Sequence, residues 1–164
     1  MRHESITYRT CSARETIDLG RELGMLLRKS DVVALMGEPG SGKTWFTKGL
    51  ALGLGVPSDI VITSPSFSLV NEYKGRCALF HIDVYRLDGV SDFLSTGLEE
   101  YFHQDGVVVM EWADRWPEIL PEWSIIVTIS IIDDKTRNII LSGRHLNVVE
   151  IIKRMPESKI IGDF

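Results

Sequence analysis

Asp31-Val-Val-Ala-Leu-Met36 is apolar past its first residue, and Gly37-Glu38-Pro39-Gly40-Ser41-Gly42-Lys43-Thr44 follows it directly. An apolar run of that length closed by a glycine suits a central parallel strand buried on both faces. The next eight residues match G-x-x-x-x-G-K-[ST] at every required position. From Lys43 to about Leu54 the spacing predicts a helix, which Gly55-Val56-Pro57 ends. Strand, glycine loop and helix in that order are what a polyphosphate cradle needs. Glycines let the backbone curl until successive N–H groups point inward. The start of the helix adds free amides and the positive end of its dipole. Lys43 supplies a point charge to the terminal phosphates. The Thr44 hydroxyl is a hard oxygen ligand for Mg²⁺.

The rest of the chain fits an α/β domain. We expect a P-loop NTPase-like three-layer fold with a mixed, mainly parallel central sheet flanked by helices. Ser5–Arg9 reads as a strand. Ser12-Ala13-Arg14-Glu15 has the form of a capping box, and Ile17, Leu19, Leu23, Leu26 and Leu27 then fit one face of a helix reaching about Lys29. Val61–Thr63 and Phe67–Tyr73 look extended around Pro65. Arg76–Asp83 and Val107–Met110 are further strands, and Ser91–His103 has helical spacing around Gly97. Ser124–Ile131 and Arg137–Ser142 are close enough to form a hairpin across Asp133-Asp134-Lys135, so part of the sheet should be antiparallel. His145–Arg154 predicts a last helix. Residues 1–154 read as a single domain and residues 155–164 as a loose tail.

Composition narrows the function. The chain has 164 residues, 44% of them hydrophobic, and a net charge of −5. That is room for one domain with a real core. With no Lys/Arg block it is no general polyanion binder. Cys11 and Cys77 have neither a close pairing nor a metal-ligand spacing and read as reduced thiols. The N-terminal residues lack an apolar h-region. The longest apolar stretch, Ile125–Ile132, is interrupted by Thr128 and Ser130 and falls far short of the ~20 residues that span a bilayer. A cytoplasmic protein with no membrane association is expected.

Hydrolysis needs an oriented water and more oxygen around the metal. Asp83 follows the strand Ala78–Ile82, and Glu111 follows Val107–Met110. In a parallel sheet such positions face the same crevice as the phosphate loop. Either acid fits the Walker B role. Thr63-Ser64-Pro65-Ser66-Phe67 lies between the loop and Asp83 and can be a phosphate-sensing switch or an ordinary turn. Trp112, beside Glu111, can cover a water, stack on a base or belong to the core. Trp45, Trp116 and Trp123 are most simply packing residues. His3, His81, His103 and His145 show no ligand spacing and read as structural or surface residues. Neither N-K-x-D nor D-x-x-G is present, and Arg86 stands where the second motif would need glycine, so ATP is favoured over GTP. At this length there is little room for an acceptor domain or lid.

Four ordered motifs carry a resemblance: the loop Gly37–Thr44, Thr63-Ser-Pro-Ser-Phe-Ser-Leu-Val-Asn-Glu-Tyr73, His81-Ile-Asp-Val-Tyr-Arg-Leu87, and Glu111-Trp112. In that order they resemble the TsaE (YjeE) family, bacterial ATPases of tRNA threonylcarbamoyladenosine formation. Arg137-Asn-Ile-Ile-Leu-Ser-Gly143 is similar to the family's closing strand. The resemblance implies ATP and Mg²⁺ as cofactors and a TsaB–TsaD heterodimer as partner, with tRNA engaged only indirectly. It implies catalytic roles for Lys43, Asp83, Glu111 and Trp112. It implies metal contacts from Thr44, Glu111 and Asp83, and a switch at Thr63, Ser64 and Ser66. Nucleotide contacts are implied from Gly37 to Trp45 and near Thr10–Ser12, Ser12 included. Two departures stand out: Ser66 replaces the family's common Thr but keeps the hydroxyl, and Trp45 sits where a small polar residue is frequent. Two other readings remain open, a small-molecule phosphotransferase and a nucleotide-gated binding module with negligible turnover.

Overall fold

The computed structural model describes residues 3–65 and 68–157. In chain order its elements are β1 (Glu4–Thr10), α1 (Ala13–Leu26), β2 (Val32–Met36), α2 (Lys43–Gly53), β3 (Val70–Lys74) and β4 (Ala78–Asp83). Then come α3 (Val90–Thr96), β5 (Gly106–Glu111), β6 (Ile125–Ile131), β7 (Arg137–Gly143) and α4 (Leu146–Arg154). Short 3-10 turns occupy Leu98–His103, Ala113–Arg115 and Pro117–Ile119. No helix among the described residues is long and apolar enough to cross a membrane.

The strands form one sheet in the order β1-β7-β6-β2-β5-β4-β3. β2 pairs in parallel with both β5 and β6, and β4 pairs in parallel with β5. The expected β6–β7 hairpin is there, and antiparallel pairing also joins β1 to β7 and β3 to β4. Among the described strands all but β3 and β7 therefore run the same way. The sheet is mixed, as expected, with a parallel centre and antiparallel margins.

Side chains alternate along β2 because successive residues of a strand point to opposite faces. Val33 and Leu35 join a core with Leu23, Phe46, Leu50 and Ile152, from the helices α1, α2 and α4. Val32 and Ala34 face the other way, toward Phe93, Phe102 and Met110. Both faces of the central strand are covered, which is why its sequence is apolar without alternation.

The helix expected across Ser91–His103 is broken into α3 and a 3-10 turn. Gly97 causes the break, with a left-handed φ of 74° that caps α3. α1 ends at Leu26, short of Lys29, because Leu27 turns to extended backbone. At its start the Ser12 side chain accepts the Glu15 N–H, while the Glu15 carboxylate reaches back to the Cys11 N–H.

Helices α1 and α2 meet through glycine. Gly20 and Gly24 on α1 face Gly49 and Gly53 on α2, four residues apart on each helix. A Cβ built on Gly49 would overlap the Ile17 carbonyl oxygen, and one on Gly53 the Arg21 carbonyl oxygen. Small residues at that spacing let two helix backbones touch. Arg76 then closes both helix C-termini. One arm donates to Gly53 O at 2.7 Å, the other to Gly24 O at 2.8 Å and Leu27 O at 2.6 Å. These acceptors lie at or just past helix ends, where carbonyls lack the i+4 amide of a continuing helix. The packing fixes α2, and with it the direction in which its first turn points.

The segment expected as a loose tail begins packed. Met155 is buried, and the Tyr8 hydroxyl donates to the Pro156 carbonyl. Burial, with a further push from Glu22, lifts the Tyr8 pKa to about 12. The remainder of the tail, 158–164, lies outside the described residues, as do Ser66 and Phe67 of the candidate switch.

Candidate functional site

The residues between β2 and α2 curl through left-handed backbone at Gly40 (φ 78°) and Gly42 (φ 111°), a region that side chains disfavour. The first turn of α2 opens above this loop with its amides free. Ser41 is buried, and its hydroxyl has no hydrogen-bond partner among the described residues.

Lys43 lies back over the loop. Its ammonium donates to the carbonyls of Gly37 and Glu38, the latter at 3.2 Å, and sits 3.8 Å from the centre of the Trp112 ring. Burial lowers its pKa, partly offset by the negative charges of Glu111, Asp114, Asp83 and Glu38.

Glu111, at the end of β5, is the centre of the polar network. It is only 2% exposed. One carboxylate oxygen accepts the Thr44 hydroxyl at 3.2 Å and the other accepts the Ser64 hydroxyl at 2.9 Å. The two hydroxyl oxygens stand 3.1 Å apart. His81 Nε2 lies 3.2 Å from the same carboxylate. Burial opposes ionisation of Glu111, but the imidazole and the two hydroxyls outweigh it and hold the group below the usual range for glutamate.

Asp83 is the cross-strand neighbour of Glu111. It accepts the Tyr85 N–H at 2.9 Å. Burial raises its pKa, and the adjacent Glu111 charge adds to the rise, against the pull of the Tyr85 amide. Two neighbouring acids in unlike surroundings thus hold their protons differently, an arrangement suited to divided roles.

Trp112 carries the backbone that brings its ring here. Its φ is 64°, a left-handed value rare for a bulky residue. The ring is half-buried between Lys43 and Tyr85, 4.9 Å from the latter. Arg115 pins the other side of this turn by donating to the Val84 and Tyr85 carbonyls.

Thr63 and Ser64 are held over the loop from the edge of the sheet. Asn71 on β3 donates to Thr63 O at 3.2 Å, and the Tyr73 hydroxyl is 3.4 Å from both the Thr63 carbonyl and its N–H. The latch holds the backbone, and Ser64 reaches Glu111 from it.

Two hollows adjoin the loop. One, of about 540 Å³, is lined by Lys43, Thr44, Ile62, Ser64, Glu111 and Trp112. The other, of about 480 Å³, is lined by Cys11, Ser12, Thr16, Trp45, Lys135 and Arg137. Ser41, Gly42 and Trp45 border both. Trp45 is 49% exposed, so it is not the packing residue its type suggested. Among the described residues no three His, Cys, Asp or Glu side chains gather into a metal cage. One carboxylate with two hydroxyls is instead a hard oxygen set that fits Mg²⁺ sharing its shell with phosphate and water.

The structure therefore brings Lys43, Thr44, Ser64, Asp83, Glu111 and Trp112 together, and sets Ser12 in the second hollow. Sequence reasoning gave no site role to His81, Asn71, Tyr73 or Arg137. His81 had a faint signal: a histidine inside an apolar strand, two residues before a candidate acid, needs a polar partner once buried. The others act on backbone atoms, and nothing in their spacing pointed to that.

Comparison with known proteins gives a consistent picture. The family described as threonylcarbamoyl adenosine biosynthesis protein TsaE matches residues 10–139. The chain is 43% identical over 128 residues to the tRNA threonylcarbamoyladenosine biosynthesis protein TsaE of Treponema pallidum (strain Nichols), spanning 78% of this chain and 93% of the relative. It is 38% identical over 137 residues to the protein of the same name from Bacillus subtilis (strain 168), spanning 83% of this chain and 84% of the relative. The crystal structure of Bacillus subtilis YdiB superposes with a TM-score of 0.76 at 32% identity, covering 93% of this chain and 95% of that one.

Proposed function

From the premise that this chain belongs to the TsaE family, we propose that it is a cytoplasmic, partner-activated ATPase that binds ATP with Mg²⁺ and supports a TsaB–TsaD complex in forming threonylcarbamoyladenosine in tRNA. One observation carries the reading: the Thr44 and Ser64 hydroxyls converge on the buried carboxyl group of Glu111 beside the phosphate loop. A glycine turn that bound nothing would have no use for that carboxylate.

In this reading the triphosphate lies across the amides of the loop and first helical turn. Lys43 exchanges the Gly37 and Glu38 carbonyls for phosphate oxygens, so its ammonium is desolvated and waiting. Thr44, Glu111 and Ser64 would hold Mg²⁺, with Asp83 behind them. When bound, the ion neutralises charge on the phosphate oxygens. Glu111, kept anionic, is the group placed to orient a water. The Trp112 ring screens Lys43 from solvent. Ser12, Thr16 and Trp45 offer the second hollow to the ribose and base. Ser64 reports occupancy through the Thr63 backbone to Asn71 and Tyr73.

Calorimetry with the purified chain and MgATP tests the binding. Phosphate release, measured with and without TsaB–TsaD, tests the activation. Slow release alone and faster release with the pair is the expected outcome. Binding to the pair in no nucleotide state would remove the tRNA role. Stoichiometric transfer of phosphate to a metabolite would favour a kinase.

A further inference from the structure

Arg137 is the first residue of β7, in register with Thr10 of β1 and Ile131 of β6 at the sheet end that also carries the phosphate loop. Its side chain is half-buried and every polar arm is used. Nε donates to Ser41 O at 2.9 Å and Nη2 to Gly40 O at 3.3 Å. Nη1 donates to Asp133 O at 2.7 Å and Thr136 O at 3.1 Å. One planar fork thus ties the hairpin turn to two successive carbonyls of the loop. A lysine, with a single ammonium, cannot match that span.

Those two carbonyls matter because a trans peptide points its C=O and its N–H in opposite directions. Fixing Gly40 O fixes the Ser41 N–H, which closes the turn onto Glu38 O at 3.1 Å. Fixing Ser41 O turns the Gly42 N–H away from Arg137. An oxyanion site gains most when its donors are aimed before the ligand arrives. Gly40 and Gly42 have left-handed backbone that glycine adopts but does not enforce. Something outside the loop must hold it.

We propose that Arg137 is a positioning residue for the phosphate loop: it grips the Gly40 and Ser41 carbonyls from behind, holds the Ser41 amide in the loop's own turn and so pre-aims the Gly42 amide at a polyphosphate. Its contribution is geometry rather than charge. The proposal rests on the nucleotide-binding reading above for its functional consequence, and on the nucleotide-free loop for its structural one.

The test compares Arg137→Ala and Arg137→Lys with the unsubstituted chain in two measurements. Amide hydrogen exchange without nucleotide should show faster exchange in both variants at Ser41, the loop amide that is bonded to Glu38 O. Calorimetry with MgATP should show both binding about tenfold to a hundredfold more weakly, because only the fraction of loops already in the binding geometry takes the ligand. Ethylguanidinium should restore the Ala variant where ethylammonium does not. Unaltered loop exchange, or full MgATP affinity in Arg137→Lys, overturns the proposal. If Arg137→Ala fails to unfold cooperatively, Arg137→Met keeps the stem packing and takes its place. If the unsubstituted chain binds no MgATP, the nucleotide reading falls, and loop exchange alone decides whether Arg137 orders the loop.

Discussion

At its first turn, helix α2 meets its surroundings through charges and hydroxyls; along its flank it meets α1 through bare backbone. At the mouth, Lys43 rests on two carbonyls and an aromatic face, and Thr44 shares Glu111 with Ser64. At the seam, four glycines let backbone touch backbone, and Arg76 locks both helix ends. In the function proposed above, every polar partner at the mouth gives way to a phosphate oxygen or a metal. None at the seam can be exchanged for anything larger than hydrogen. The difference separates what must move from what must not. A rigid flank lets the first turn change partners without carrying the helix along.

The contrast can be broken at its strongest point with Gly49→Val. The branched side chain would overlap the Ile17 carbonyl and press on the Arg21 amide. We expect the free energy of unfolding, from urea titration, to fall by about 3 kcal/mol or more. A loss under about 1 kcal/mol would mean that the seam yields. Lys43→Ala probes the other region. Affinity for MgATP should drop at least about a hundredfold, while the melting temperature stays within a few degrees of the parent. A variant that lost binding and fold together would show that mouth and seam are one unit. Arg76→Ala should cost about 1–3 kcal/mol of stability with nucleotide affinity unchanged, read from melting and calorimetry on the same sample.

The smallest effects separate the two acids within the mouth. The folded pKa of Glu111 lies below its ordinary value, despite burial, because His81, Ser64 and Thr44 favour the anion. Its stabilisation is therefore fully present above that ordinary value and is lost as pH falls through the folded one. Asp83 is opposite. Burial, then the nearby Glu111 charge, raises its pKa, so its ionised form destabilises the fold at neutral pH, and that penalty fades in acid. At pH 7, Glu111→Gln should lower the melting temperature and Asp83→Asn should raise it. Both differences should shrink as the pH falls through the carboxylate range. Shifts of the same sign would refute the division.

The mouth was far more legible in the sequence than the seam. Gly37–Thr44, Asp83 and Glu111 announce themselves because phosphate and metal chemistry demand particular residue types at strand ends. The β6–β7 hairpin was readable from two apolar runs with charged residues between. The seam was not, because glycine in a helix reads as a weakness of that helix, and Gly20, Gly24, Gly49 and Gly53 gain their meaning only when two helices are brought side by side. Arg76 and Arg137 escaped for a related reason. Both bind main-chain oxygens distant in sequence, and a carbonyl acceptor leaves no mark in the sequence. Gly97 was seen but read as tolerated within one helix; its left-handed backbone ended that helix instead.

The strand order has a consequence for how the protein is made. β2 emerges early from the ribosome, yet both of its neighbours, β5 and β6, are translated much later. Until Gly106–Glu111 and Ile125–Ile131 have appeared, the phosphate loop hangs from a strand with no sheet to join. Nascent chains fold as units when their long-range contacts can close. A prematurely terminated product would display the whole glycine motif and have no means of gripping a nucleotide with it.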